Sequence, residues 1–261
     1  MDIIHLSDLH FGDAQAPFNE VELSEALSNY IIEHTTDPIV ILSGDITVRG
    51  QSSGYSMAST FVENLINMGR VNRNCLCFCP GNHDIVNNSF EAFDRFVYGA
   101  RRDNVLAFNN ASYNVLEIQG VVFVMLNSSF HLNHQYGLVD NTLFNLDLSS
   151  YAENKKILVF HHHILNQFNG DTSAIRNSYK LVQFIENKEF CLALHGHQHT
   201  EQHYHLGKTA TPVVSARSGN FNQSGYLNAF NHYKLTGEEI MIDSLVFERS
   251  TEEVSIRRLV R

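Results

Sequence analysis

The chain has 261 residues, 43% of them hydrophobic, enough to bury a full core within one large domain. Its 18 Lys and Arg are outnumbered by 28 Asp and Glu, a formal charge of -10, and no basic run tracks a duplex backbone, which argues against sequence-blind binding to duplex DNA. No apolar run approaches the ~20 residues of a membrane span and Met1-Asp2 lacks the basic start of a secretory signal, so a cytoplasmic protein without membrane contact is expected.

In chain order, residues 2–6 read as a buried strand, and 20–34 as a helix with Leu23, Ala26, Leu27, Tyr30 and Ile31 at near-helical spacing. A β-branched run over 39–42 opens after Pro38, which completes a βαβ unit. Helical spacing returns over 55–68, then a strand over 75–79 and a helix over 90–97. Cys75, Cys77 and Cys79 alternate onto one strand face; without C-x2-C spacing they read as small apolar core residues in a reducing compartment, not as a thiolate metal site.

The middle of the chain changes character. Strands over 113–118 and 121–126 flank Gln119-Gly120 as an antiparallel hairpin, and 143–151 reads as helical. Strand, helix and strand follow over 157–160, 181–185 and 191–194, and the remainder is β-rich over 202–206, 212–216, 227–235, 239–247 and 254–259. These elements imply an α/β fold, a four-layer sandwich of two mixed β-sheets flanked by helices, as a single domain over 1–261. The last residues, from Ile256 to Arg261, carry no polar tail, so the natural protein has room to continue beyond residue 261.

Polar residues concentrate where strands end. Asp8 and His10 follow the first strand, Gly44-Asp45 the second and Gly81-Asn82-His83-Asp84 the third; His161-His162-His163 and His195-Gly196-His197-Gln198-His199 follow two later ones. Strand carboxyl ends in an open α/β sheet share one edge, where ligands bind. Any one of these sites is an ordinary turn, but five that supply Asp, Asn or His, with no Lys among them, are not. Two carboxylates, an amide and at least four imidazoles converging without cations carry unfavourable desolvation unless a metal supplies the charge. The donor count exceeds one structural zinc, and the N/O mix suits two divalent ions, with Mn favoured and Fe or Zn as alternatives. A metal pair is the clamp used for in-line phosphoryl displacement.

Asp8-x-His10, Gly44-Asp45, Gly81-Asn82-His83-Asp84, His161-His162 and Gly196-His197-x-His199, taken in order, resemble the five motifs of the calcineurin-like metallophosphoesterases. The resemblance implies that Asp8, His10, Asp45 and His199 hold one ion and Asp45, Asn82, His161 and His197 the other, with Asp45 bridging. His161 matches the first His of the family's His-His-Pro pattern, with His162 as the alternative. His83 would face the substrate as oxyanion donor or general acid, and a metal-bridging hydroxide would be the nucleophile.

Two departures stand out. Val48 replaces the second Asp of Gly-Asp-x-x-Asp, which in many relatives orients the His that matches His83; Asp84 is the candidate for that role. His163-Ile164 replaces the Pro pair that often follows the fourth motif. With Val48 and Asp84 in place of the residues protein phosphatases carry, the chain resembles the phosphodiesterase branch. A small phosphodiester or nucleotide-type substrate is therefore expected, with a phosphomonoesterase or protein phosphatase, or a nuclease on short or single-stranded nucleic acid, as alternatives. Arg49 and Arg217 are placed to reach a substrate phosphate, against the plainer reading of solvated turn charges. His5 reads as a packed residue, and His131, His134, His203 and His205 as rim or surface groups.

Overall fold

A computed structural model describes residues 1–250 and 253–259, so the end of the expected single domain, Val260-Arg261, lies outside the described residues. Twelve strands and four α-helices alternate as β1 (Asp2–Leu6), α1 (Glu20–His34), β2 (Ile39–Ser43), α2 (Ser52–Asn67), β3 (Leu76–Cys79), α3 (Glu91–Arg101), β4 (Tyr113–Ile118), β5 (Val121–Leu126), β6 (Lys155–Val159), α4 (Ser178–Asn187), β7 (Leu192–His195), β8 (His203–Leu206), β9 (Thr211–Ser215), β10 (Ala229–Thr236), β11 (Glu239–Ser250) and β12 (Glu253–Arg258).

The strands form two six-stranded mixed sheets, β12-β11-β10-β1-β2-β3 and β4-β5-β6-β7-β9-β8. In the first, β1, β2 and β3 run parallel and β10 returns antiparallel beside β1; in the second, β5, β6, β7 and β9 are parallel, with β4 and β8 antiparallel at the edges. Alternation along each strand decides what faces what. Phe123, Met125, Ile157, Val159, Leu192 and Leu194 share a core with the first sheet, while Val122, Val124, Leu158, Phe160 and Ala193 pack under Leu181, Phe184 and Ile185 of α4. Leu23 and Leu27 of α1, Phe61 and Leu65 of α2, and Phe93 of α3 join the core of the first sheet, which gives the expected four layers.

Local chemistry moved some boundaries. The helix expected over 143–151 is two 3-10 turns, Asn141–Asn145 and Ser149–Tyr151, because Leu146 is extended and Asp147 spends its carboxylate on the Ser149 N–H at 2.9 Å. α3 runs on past residue 97 to Arg101, whose buried guanidinium binds Asp103 and the Leu76 carbonyl, and stops where Arg102 turns left-handed at φ 67. The strand expected from Cys75 begins at Leu76, since Asn72 caps a 3-10 turn over Arg73–Cys75. Cys77 and Cys79 are fully buried, and burial pushes both thiols up. Among the described residues no helix is long and apolar enough to cross a membrane.

Candidate metal centre

The five polar turns do not lie on one sheet edge. Those after β1, β2 and β3 belong to the first sheet and those after β6 and β7 to the second, and the sandwich brings both sets of carboxyl ends together. Backbone hydrogen bonds lock the turns to one another: Asp8 N–H to Gly44 O at 3.0 Å, His10 N–H to Asp45 O at 3.1 Å, and Gly196 N–H to His161 O at 3.0 Å. Asp8, His10, Asp45, His197 and His199 all have positive φ, between 46 and 74°. Each such non-glycine residue costs on the order of 1 kcal/mol, and the concentration of strain here marks side chains aimed by their surroundings. Two glycines make room. A Cβ on Gly81 would lie 2.1 Å from Asp45 Oδ1, and one on Gly196 1.8 Å from Ser7 Oγ and 2.6 Å from Asp8 Oδ2.

Two groups of donors result, Asp8 with His10 and His199, and Asp45 with His161 and His197; within each, one ligand atom per residue lies within 4.8 Å of the others. In the first, His199 Nε2 is 3.3 Å from Asp8 Oδ1 and 3.2 Å from His10 Nε2. In the second, His161 Nε2 is 3.2 Å from Asp45 Oδ2 and 3.1 Å from His197 Nδ1. His161 donates its Nδ1–H to Ser43 O at 2.8 Å, which fixes the tautomer and leaves Nε2 free to ligate. Asn82 presents Oδ1 because its amide N–H donates to His134 O at 3.2 Å, while the His134 ring meets Asn82 O at 3.1 Å.

This arrangement fits divalent ions. Among the described residues, Asp8 Oδ1 and Asn82 Oδ1 are buried acceptors without a hydrogen-bond donor, and such atoms are costly unless a cation satisfies them. Electrostatics agree. Burial pushes the Asp8 and Asp45 carboxyls up, but the charges of His199 and His161 respectively outweigh it and hold both below the usual carboxylate range. Burial lowers His10 to about 4 and His197 to about 3, which leaves them neutral as ligands must be. Burial also opposes charge on His161, yet Asp45, Asp8 and the Ser43 carbonyl raise it to about 9, so this spot calls for positive charge.

The remaining sequence-derived candidates separate. His162 turns its Nδ1 to Ser128 Oγ at 2.8 Å and is absent from both donor groups. His83 keeps its ring at the mouth, 37% exposed, with Nε2 4.0 Å from Asp45 Oδ2. Asp84 does not orient it: among the described residues its carboxylate accepts from Gly81 N–H at 3.0 Å, Ile46 N–H at 3.3 Å and Tyr55 O–H at 3.2 Å, which ties the second and third motif loops together. Burial and the charge of Asp45 raise Asp84 to about 7. His83 is instead fixed through its backbone N–H, which donates to Asp45 Oδ1 at 2.8 Å. Arg49 lines a cavity of about 430 Å³ with Asn82, His83, Ile85 and His134. Arg217 lies 3.6 Å from Glu201 and is not part of that lining.

Sequence reasoning missed two supporting roles. His134 reads as a rim residue and is the clasp that aims Asn82; the spacing of 52 residues gives no local signal. His163 stacks on His197 at 5.5 Å and bonds Asp171 at 2.8 Å, with Gln198 donating to its ring. His5, expected to be packed, bonds Ser43 Oγ at 2.7 Å beneath the centre.

The family model for calcineurin-like phosphoesterases matches residues 1–201. Among curated proteins no sequence matches the chain. Solved structures show the same fold. A dimetal phosphatase from Danio rerio superposes with a TM-score of 0.68 at 13% identity, covering 98% of each chain. A Thermus thermophilus protein follows at 0.56 and 13% identity, with 92% of this chain and 97% of the other covered. A 5'-nucleotidase precursor from the same organism gives 0.54 at 12% identity, with 99% of this chain on 54% of that one.

Proposed function

Because the chain belongs to the calcineurin-like phosphoesterases, we propose that it hydrolyses small phosphodiesters, nucleotide-type esters among them, on a pair of divalent ions. Asp8, His10 and His199 would hold one ion and Asn82, His161 and His197 the other, with Asp45 available to both. The observation that carries this reading is the pair of donor groups beside two buried oxygens that lack donors. When bound, the ions, manganese in our reading, lower the pKa of water and neutralise the phosphoryl oxygens.

The protein's own residues do the rest. Arg49 positions the phosphate in the cavity, and burial of Asp8 and Asp45 keeps bulk water from competing for their oxygens. As the water oxygen bonds to phosphorus and the ester P–O bond breaks, His83 Nε2–H would deliver its proton to the departing oxygen, while the water releases a proton to solvent, from which His83 is recharged. Arg49 is the one guanidinium among the residues lining the cavity, which suits a singly charged diester better than a doubly charged monoester. Such an enzyme acts in the cytoplasm on diffusible substrates.

The test compares kcat/KM for a bis-aryl and the matching mono-aryl phosphate with the manganese-loaded protein near neutral pH. A diester preference is expected. A tenfold preference for the monoester, equivalent to ~1.4 kcal/mol of transition-state stabilisation, would replace the reading with a phosphatase.

A further inference from the structure

The loop over residues 216–228, between β9 and β10, is fastened to the metal centre from below. Ser218 Oγ donates to Asp8 O at 2.6 Å, and Gly219 N–H to Ser7 O at 2.9 Å. Asn220 binds both the N–H and the carbonyl of Phe18, at 3.1 and 2.9 Å, and Asn228 grips both the N–H and the carbonyl of Phe221. So much anchoring holds Phe221 in one place. Its ring meets His199 edge-on at 4.1 Å and His10 at 5.8 Å, and Tyr226 continues the aromatic surface outward at 6.1 Å. Both aromatic residues are only partly buried.

Aromatic rings normally leave the surface for the core, and here one ring of a partly exposed pair meets the His10 and His199 imidazoles. The His10 ring lies 5.3 Å from His83, which lines the cavity, and 5.8 Å from Phe221, which is not part of that lining. A phosphorus held at the centre of a diester carries two ester arms. One has the cavity of Arg49, His83 and His134, with polar contacts; the other has a fixed, partly exposed aromatic wall. Flat π-faces stack on such walls with little selectivity among rings, whereas an alkyl chain gains less.

Resting on the phosphodiesterase reading above, we propose that Phe221 and Tyr226 form a subsite for a planar aromatic arm of the substrate, a nucleobase or an aryl group. Phe221 also braces His10 and His199, so substitutions there mix two effects. Tyr226 touches neither imidazole among the ring contacts of the described residues and isolates the subsite.

The experiment keeps the leaving group constant and varies the other arm: phenyl against methyl p-nitrophenyl phosphate, with the manganese-loaded protein. The phenyl ester is expected to have the higher kcat/KM by about tenfold; Tyr226→Ala should bring the ratio toward unity and Tyr226→Phe should keep it. Equal values in the wild type, or a ratio that survives Tyr226→Ala, would overturn the subsite. Binding of phenylphosphonate and methylphosphonate, followed by calorimetry, separates the two claims. If neither ester is cleaved yet phenylphosphonate binds about tenfold tighter and Tyr226→Ala removes that advantage, the subsite stands and the diesterase reading fails. Equal or absent binding of the two phosphonates would overturn the subsite.

Discussion

Asp45 accepts the backbone N–H of His83 through Oδ1 and faces His161 through Oδ2, so one side chain links the substrate-facing turn to the metal-binding one. Asp45→Asn should therefore lower metal content below two equivalents and abolish most turnover, whereas His10→Ala should weaken mainly one ion; elemental analysis of the purified variants reads both. Two full equivalents with wild-type turnover in Asp45→Asn would rule out a bridging role. His83 has its ring at the mouth, and its structural tie to Asp45 runs through the main chain, which any residue supplies. His83→Ala should lower kcat by about 10²-fold with metal content near normal, the range of a lost general acid. A loss of one ion in that variant would make His83 a ligand instead.

At the level of elements, the turns after the strands tolerate little added volume. Gly196 needs no unusual backbone angle; it is glycine because Ser7 and Asp8 press on it. Gly196→Ala should push Asp8 from its place and weaken metal binding by tenfold or more while leaving the circular-dichroism spectrum unchanged, and wild-type affinity in a titration would contradict the close packing. The helices report on different chemistry. Asn19 caps α1 by accepting the N–H groups of Val21 and Glu22, while Glu22 returns a bond to the Asn19 N–H. Asn19→Ala should cost about 1 kcal/mol in urea unfolding, without effect on kcat.

For the molecule as a whole, stability is coupled to metal and to pH. The centre gathers carboxylates held ionised in the interior, so ions that bind only the folded state should stabilise it by about 2.7 kcal/mol at a hundredfold excess over Kd, and chelation should lower Tm accordingly. A second dependence comes from beneath the site. Burial lowers His5 to about 3. An unfolded histidine titrates near 6.5, so the unfolded chain takes up a proton that the folded one refuses. This contribution is present above pH ~6.5 and is lost as pH falls from there toward 3, by up to ~1.4 kcal/mol per pH unit. Urea unfolding of the chelated protein at pH 7 and pH 5 should show that loss, reduced in His5→Gln; identical pH slopes in the two proteins would mean that His5 does not titrate on unfolding.

The sequence by itself determined the elements and the donor set, because both are written in local order. Alternation and helical spacing follow from how a strand or helix presents successive side chains, and β1, α1, β4 and β5 match their expected bounds to the residue. The Asp, Asn and His of each motif sit immediately after an apolar run, where a chain leaving a sheet has to turn. What local order does not contain is which distant groups meet. Only the packing of two separate sheets brought Asp45 to His161, set His134 against Asn82, and aimed Asp84 at Tyr55 and two backbone N–H groups and away from His83. Only the return of β10 beside β1 placed the Phe221 loop over His10 and His199. The boundary after α3 was decided by Arg101, whose partner Leu76 is near only once the chain has folded, whereas the break within 143–151 follows from the local bond between Asp147 and Ser149, a turn signal that the apolar spacing masked.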